Sequence, residues 1–422
     1  MRRYALLVAL LCTAVLTAFG QHKLRPDAFP PRVSGKTVFV KSGDVATSAE
    51  QMAGWNKYPS YGLYVEMMRQ WESNFPSLCR IDTIGTSING RLLLSAELTA
   101  NPTDTSLPEF FYSSSIHGDE LTGYVMLLRL IDTLLLGYGS NSQYTQLLRT
   151  TRICINPLAN PDGTYAAGDD DISLAMRFNA DYCDLNRNFP NPFVAAKEAL
   201  QPENEAMIAY VSRHRFRLSA NLHDGSEVMN YPWDSFTSAQ LSHPDATWWQ
   251  AVCKRFVDTA RRYYAQQFID VCDDGYIAGG DWYVITGGRQ DYMNYYHHCL
   301  ELTMEISAVK TPAASQLPNY WYRLQHALVN YIAEVHSLPT SAVPPAPSVA
   351  ASSRFAYPNP AISMFTLSAP LAMGSWLCTL DGRKVRFFPQ GAQTIDVAEL
   401  PAGVYLLSDG NGQALKLQVL KP

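Results

Sequence analysis

Apolar positions in this chain fall into two alternating rhythms. Over residues 58–75, Leu63, Met67, Met68 and Trp71 recur at three- and four-residue spacings, which predicts an amphipathic helix. Short apolar runs at 80–84, 92–98 and 109–115 predict strands, the first two joined by the hairpin-type turn Ile88-Asn89-Gly90. A helical pattern follows at 121–136, then a strand at 152–157 and a loop that opens with Ala159-Asn160-Pro161-Asp162-Gly163 and stays polar to about 192. Beyond it come a helix at 203–213, a strand at 217–223, a helix at 246–266, a Gly-rich loop around 275–288, a strand at 300–306 and a helix at 315–335. Strands alternating with helices imply an α/β fold, a mixed, mainly parallel sheet with helices on both faces. In such folds the loops leaving the strand ends carry the site.

The two ends of the chain follow other patterns. Arg2 and Arg3 precede an apolar run over 4–19 and the small-residue stretch Ala18-Phe19-Gly20, which reads as a secretory signal peptide, residues 1–20, cut near Gly20/Gln21. Residues 21–50 form a polar, extended lead-in to a main domain over 51–336. No other run approaches the ~20 apolar residues that a membrane span requires, so no transmembrane segment is expected in the mature chain. At 337–353 the composition shifts to Pro, Ala and Ser, a linker. The remainder, 354–422, has short alternating segments and turn signals at Asp381-Gly382 and Asp409-Gly410-Asn411-Gly412, the pattern of a small β-sandwich.

Composition narrows the function. At 47% hydrophobic and 17% charged the chain is ordinarily globular, and a net charge of −5 gives no reason to expect nucleic acid or an anionic membrane as partner. Of eight cysteines, Cys12 lies in the leader and the others lack close-paired ligand spacing, which argues against a cysteine zinc cluster. Export permits disulfides, and Cys253 with Cys272 is one candidate pair.

The candidate chemistry gathers at strand ends. In Ser115-Ile116-His117-Gly118-Asp119-Glu120, a His and a Glu sit three residues apart where a strand gives way to a helix. An ordinary helix start offers the same pair, but a catalytic zinc site needs three such ligands and an open position. His223, closing the strand Leu218-Ser219-Ala220-Asn221-Leu222, is the third candidate. Between them, Asp184-Leu185-Asn186-Arg187-Asn188-Phe189-Pro190 places an amide beside a guanidinium, a pair able to grip a carboxylate, and Arg177 lies upstream, placed to hold an oxyanion. In Glu301-Leu302-Thr303-Met304-Glu305-Ile306-Ser307, period-2 alternation puts Glu301, Thr303 and Glu305 on one face. Carboxylates on a central strand are costly without a task. Glu305, at the strand's end, is the candidate general base, and Glu301 is expected to be structural.

Together these motifs resemble the zinc metallocarboxypeptidases of the carboxypeptidase A-like family, and within it the regulatory branch of carboxypeptidases D, E, M and N. The resemblance covers about 58–335 and adds Asn160-Pro161-Asp162-Gly163, Asn230-Tyr231-Pro232, Trp282-Tyr283 and Gly287-Gly288-Arg289-Gln290-Asp291 in order. It implies one Zn²⁺ held by His117, Glu120 and His223, with Glu305 as general base toward the water that attacks the peptide bond. Arg177 is then the oxyanion partner, Asn186 and Arg187 bind the substrate's C-terminal carboxylate, and Tyr283 is a mobile phenol that closes over the bound residue. Asp234, with Gln290 beside it, matches the pocket position that faces a leaving Lys or Arg. Arg289 stands where relatives carry an apolar residue, and if turned into the pocket it would weaken that preference.

The tail, with Tyr357-Pro358-Asn359-Pro360, Leu380-Asp381-Gly382-Arg383 and 400–406, resembles a C-terminal sorting domain of the type IX secretion system. That implies passage through the periplasm to the cell surface or exterior, with the secretion machinery and peptide or protein C-termini as partners. His297-His298 has no carboxylate pattern nearby and reads as ordinary packing or surface placement. Two other readings stay open from the residues alone: a related zinc amidohydrolase trimming peptidoglycan peptides or deacylating amino acids, and a catalytically silent surface protein that binds peptides.

Overall fold

A computed structural model describes residues 42–191, 198–339, 356–357, 361, 363–367, 370–371, 374–379, 383–408 and 414–420. The expected signal peptide, most of the lead-in and nearly all of the linker lie outside the described residues.

The main domain is built on an eight-stranded sheet. In chain order its strands are β1 (Cys79–Thr86), β2 (Leu92–Leu98), β3 (Glu109–Ser114), β4 (Arg152–Asn156), β5 (Phe216–His223), β6 (Ser226–Tyr231), β7 (Tyr276–Ala278) and β8 (Leu300–Ser307). In space they run β1-β2-β4-β3-β5-β8-β6-β7. The four central strands β4, β3, β5 and β8 are mutually parallel, while β1, β2 and β6 pair antiparallel with their neighbours toward the centre. The central strands are almost wholly buried, as expected where helices cover both faces. Edge strand β1 instead exposes Arg80, Thr83 and Thr86.

The helices are α1 (Tyr61–Asn74), α2 (Thr122–Gly137), α3 (Ser142–Thr150), α4 (Pro202–Ser212), α5 (Ala246–Arg261), α6 (Arg289–Tyr296) and α7 (Leu317–Ala333). Alternation along β3 shows how they divide. Phe110 and Tyr112 join the large core with α1, α2, α5 and α7, whereas Phe111 joins a smaller core with Met207, Tyr210 and Val211 of α4 and Tyr292 and Met293 of α6. The starts of α1 and α3 are capped by side chains: Ser60 Oγ accepts from the Leu63 amide, and Asn141 Oδ1 from those of Gln143 and Tyr144.

Three expectations are revised. The helix starting at 246 ends at Arg261, not 266, because Arg261 donates to the carbonyls of Gln267 and Phe268 and folds the chain back on itself. The Gly-rich loop contains β7, and α3, β6 and α6 lie where the sequence pattern predicts no element. Cys253 and Cys272 are both buried free thiols, so the candidate disulfide does not form.

The C-terminal segment forms a three-stranded and a four-stranded antiparallel sheet. Phe365, Leu367 and Ile395 of the first share a core with Leu377, Leu407 and Leu417 of the second, the sandwich expected from the sequence.

Candidate active site

The C-terminal ends of β3, β5 and β8, three adjacent parallel strands, point into one crevice. Ser115 follows β3 in a left-handed conformation (φ 54°), and its hydroxyl donates to the Glu120 carbonyl at 2.7 Å, closing the loop that carries His117 and Glu120. Gly118 is required there, because a Cβ would collide with the backbone of Gly163. His223 closes β5, and Glu305 of β8 is its register partner.

His117, Glu120 and His223 converge, buried, with ligand atoms within 4.8 Å of one another. His117 Nδ1 lies 3.0 Å from Glu120 Oε1, His223 Nδ1 lies 2.8 Å from Glu120 Oε2, and the two Nδ1 atoms are 3.1 Å apart. Tetrahedral Zn²⁺ with ligands at 2.0–2.1 Å has edges of ~3.3 Å, so the donor set fits zinc. The far ring nitrogens are held as well: His117 Nε2 meets Asp184 Oδ1 at 3.2 Å, and His223 Nε2 meets Asn221 Oδ1 at 2.5 Å. Both partners are acceptors, so each imidazole carries its proton on Nε2 and turns the Nδ1 lone pair toward the common point. Burial, opposed by Glu120, pulls His223 down to about 4, which keeps the neutral, ligating form at neutral pH. Lys310 Nζ sits 3.0 Å from Asp119 and 3.3 Å from Glu120.

Glu305 is buried against this group. Burial first, then the charges of Glu120 and Asp224, raise its carboxyl well above the ordinary range, while Lys310 and Arg177 oppose the shift. Arg177 donates Nε to Asp184 Oδ2 at 2.9 Å, and its Nη1 lies 3.7 Å from Glu120 Oε1. A single carboxylate, Asp184, therefore aligns both His117 and Arg177. It also caps the short turn Leu185–Arg187 by accepting from the Asn186 amide, which fixes the position of Asn186 and Arg187. Asn186 Oδ1 accepts the Arg289 amide at 2.9 Å, leaving Nδ2 as the donor.

The first turn of α6 assembles the rest of the cleft. Gln290 Nε2 donates to Asp234 Oδ1 at 2.8 Å, and Asp291 accepts the backbone amides of Asp234 and Ser235 at 2.8 and 2.9 Å. Asp234 is buried, and a Cβ at Gly279 would collide with its carboxylate and with Asn230. Arg289 turns the other way: its guanidinium is fully buried, bidentate to Glu301 at 2.9 Å through both Nε and Nη2, and lies over the Phe111 ring. It does not enter the Asp234 pocket, and Glu301 is its structural partner. Tyr283, half-buried against Trp282, has a phenol raised by burial and by Glu305, with Arg187, Asp234 and Arg177 also in electrostatic reach. His297 packs on the Tyr292 hydroxyl, and among the described residues His117, Glu120 and His223 form the one group able to hold a metal.

Hydrogen bonds and electrostatic interactions thus link the expected site residues into one cluster. Sequence reading passed over Asn221 and the double role of Asp184, although each stood within a quoted motif and each matches the rule that metal-bound imidazoles carry a hydrogen-bonded far nitrogen.

Residues 64–327 match the family model described as zinc carboxypeptidase. The chain belongs to the zinc carboxypeptidase family. That family uses Zn²⁺, in keeping with the buried His-Glu-His group. Carboxypeptidase M of Mus musculus is 36% identical over 278 residues, covering 62% of this chain and 62% of that protein. The carboxypeptidase N catalytic chain of Homo sapiens is 31% identical over 318 residues, covering 66% and 69%. Carboxypeptidase D of Mus musculus is 34% identical over 281 residues and 64% of this chain, but the match spans only 20% of its length. Among solved structures, carboxypeptidase A from Helicoverpa armigera superposes with a TM-score of 0.55 at 18% identity, covering 68% of this chain and 74% of that one. Thrombin-activatable fibrinolysis inhibitor superposes with a TM-score of 0.59 at 16% identity, covering 73% and 80%, and both confirm the carboxypeptidase-like fold. Residues 356–419 match the secretion system C-terminal sorting domain, which assigns this zinc carboxypeptidase homologue to type IX secretion, to the cell surface or exterior. Among the described residues, no helix is long and apolar enough to cross a membrane.

Proposed function

We propose that the chain is a zinc-dependent carboxypeptidase that releases C-terminal Lys or Arg from peptides and proteins outside the cell. His117, Glu120 and His223 hold the ion. Bound there, Zn²⁺ supplies a Lewis acid that polarises the scissile carbonyl and activates water.

The remaining steps belong to side chains. Arg187 and the Asn186 amide grip the free C-terminal carboxylate, which makes the activity exo- rather than endoproteolytic. Glu305 accepts the proton of the attacking water and returns it to the leaving amine, as a general base placed beside the metal site can. Arg177, aligned by Asp184, stabilises the negative charge that develops on the carbonyl oxygen. Tyr283 closes over the bound residue.

The observation that carries the Lys/Arg preference is the Asp234 pocket. Its carboxylate is buried beside Gln290, whose Oε1 has no hydrogen-bond partner among the described residues. A buried carboxylate and a spare acceptor leave a place for a cation with N–H donors. The Arg289 guanidinium does not compete for it, being saturated by Glu301.

The test is a set of peptides identical except for C-terminal Arg, Lys, Phe or Leu, each with a free or amidated terminus, with and without a zinc chelator. Chelator-sensitive release of Arg and Lys from free termini is the expected result. Cleavage indifferent to the α-carboxylate would point to an amidohydrolase, and zinc binding without turnover to a silent peptide-binding protein.

A further inference from the structure

One face of the central sheet is polar where a parallel sheet is normally apolar. Ser113 of β3, Ser219 and Asn221 of β5, and Glu301 and Thr303 of β8 are all buried on it, beneath α6. Burying such groups is costly unless each is paired, and here the pairing forms a chain. Arg289, the first residue of α6, makes its bidentate bond to Glu301 and a further bond to Ser113 Oγ. Glu301 Oε2 accepts from Ser219 Oγ at 2.7 Å, and Oε1 from Asn221 Nδ2 at 3.1 Å. Asn221 Oδ1 in turn meets His223 Nε2 at 2.5 Å.

The order of these bonds has a chemical logic. An isolated Asn side chain can present either its oxygen or its NH₂ to a neighbour, and the neighbour decides. An ionised carboxylate only accepts, so Glu301, at 3.1 Å and joined by Thr303 Oγ1 and the Leu302 carbonyl at 3.2 and 3.4 Å, selects Asn221 Nδ2, and Oδ1 is left facing His223. An acceptor at that position holds the imidazole proton on Nε2 and leaves Nδ1 unprotonated, turned toward Glu120 and His117. Arg289 is what keeps an ionised carboxylate stable in the sheet, since a buried lone carboxylate carries a desolvation cost of several kcal/mol.

We infer that the buried Arg289–Glu301 pair is a positioning device for the metal centre: acting through Asn221, it sets the tautomer and orientation in which His223 meets zinc. The inference rests on the assignment of zinc to His117, Glu120 and His223. The same Arg289 accepts no substrate, but its backbone N–H orients Asn186 of the carboxylate clamp, so one residue braces the metal ligand and the clamp together.

The test is zinc affinity, measured by chelator competition on the full chain, with histidine ring-nitrogen NMR of the zinc-free protein as a second readout. Glu301→Gln and Asn221→Ala should each weaken zinc binding by roughly 10- to 100-fold, the usual effect of losing such a partner. The two together should be no worse than Asn221→Ala alone, because Glu301 acts through Asn221. The ring spectra should show His223 as the Nε2–H tautomer in the wild type and as a mixture in Glu301→Gln. Should that variant fail to fold with Arg289 left unpaired, Arg289→Met combined with Glu301→Gln removes both charges and is expected to show the same loss. Wild-type zinc affinity in a folded charge-free variant, or losses that add in the Asn221→Ala/Glu301→Gln chain, would overturn the inference. Failure of the wild type to bind one zinc would instead overturn the underlying site.

Discussion

Asp234→Asn removes one charge from the floor of the cleft and almost nothing else. The amide is isosteric with the carboxylate, its oxygen can still accept from Gln290 Nε2, and the surrounding backbone is held by Asp291 rather than by the Asp234 side chain. Asp234 is only 3% exposed, so a substrate Lys or Arg must shed its water to reach it and relies on the carboxylate in return. Truncating one member of a buried, hydrogen-bonded charge pair costs about 2–5 kcal/mol, or roughly 30-fold to several thousand-fold in kcat/KM. Peptides ending in Arg or Lys should lose that much. Peptides ending in Leu or Phe should be unchanged or faster, since they no longer face an uncompensated charge. Steady-state kinetics on the four peptides measure this, and an equal loss on all of them would refute the pocket.

The same substitution makes a prediction for stability. Burial first, then Asp291, raises the Asp234 carboxyl well above its ordinary value, with Arg187 opposing. A carboxyl whose folded pKa is raised opposes folding once pH climbs above the ordinary value of ~3.9. D234N should therefore melt higher than the wild type at neutral pH, with the difference closing as pH falls toward that value. Pocket function and stability would then pull in opposite directions at a single residue.

Three further outcomes are expected. Glu305→Gln should retain one zinc per chain while kcat falls by about 10²- to 10⁴-fold; normal turnover would exclude Glu305 as the base. Arg187→Ala should lose about 1.5–3 kcal/mol of selectivity for a free over an amidated C-terminus, and retained discrimination would place the clamp elsewhere. Chelation should abolish hydrolysis, be reversed by zinc, and lower the melting temperature, since a ligand at 1,000 times its Kd stabilises the fold by ~4 kcal/mol; an unchanged melt would show that the site holds no ion.

The elements that could be read from the sequence are those whose burial is one-sided or continuous. The strand at 92–98 matches its observed limits, and the central runs 109–115 and 152–157 each extend one residue beyond the observed strands, because each carries an unbroken apolar run (Leu92-Leu93-Leu94, Phe110-Phe111-Tyr112 and Ile153-Cys154-Ile155). Helix α6 was invisible for the opposite reason. Arg289, Gln290 and Asp291 are all buried, each committed to a different partner, so no apolar stripe marks the helix. Strand β6 was hidden in a similar way, with Ser226, Glu227 and Asn230 breaking its alternation. The site residues were legible because their types and order are chemically restrictive. The links between them were not, since Asp184 touching both His117 and Arg177 is a fact of three dimensions.

The proposed zinc ligands come from loops and ends of different strands, with His223 lying 103 residues beyond Glu120. Their convergence depends on β3 and β5 pairing in one register, in which Ser114 faces Leu222. Slipping β5 by a single residue would turn His223 to the opposite face of the sheet and carry it away from Glu120. A mispaired chain would therefore have the right residues and no place for the ion. Retention of zinc at the proposed site would therefore report a correctly assembled central sheet.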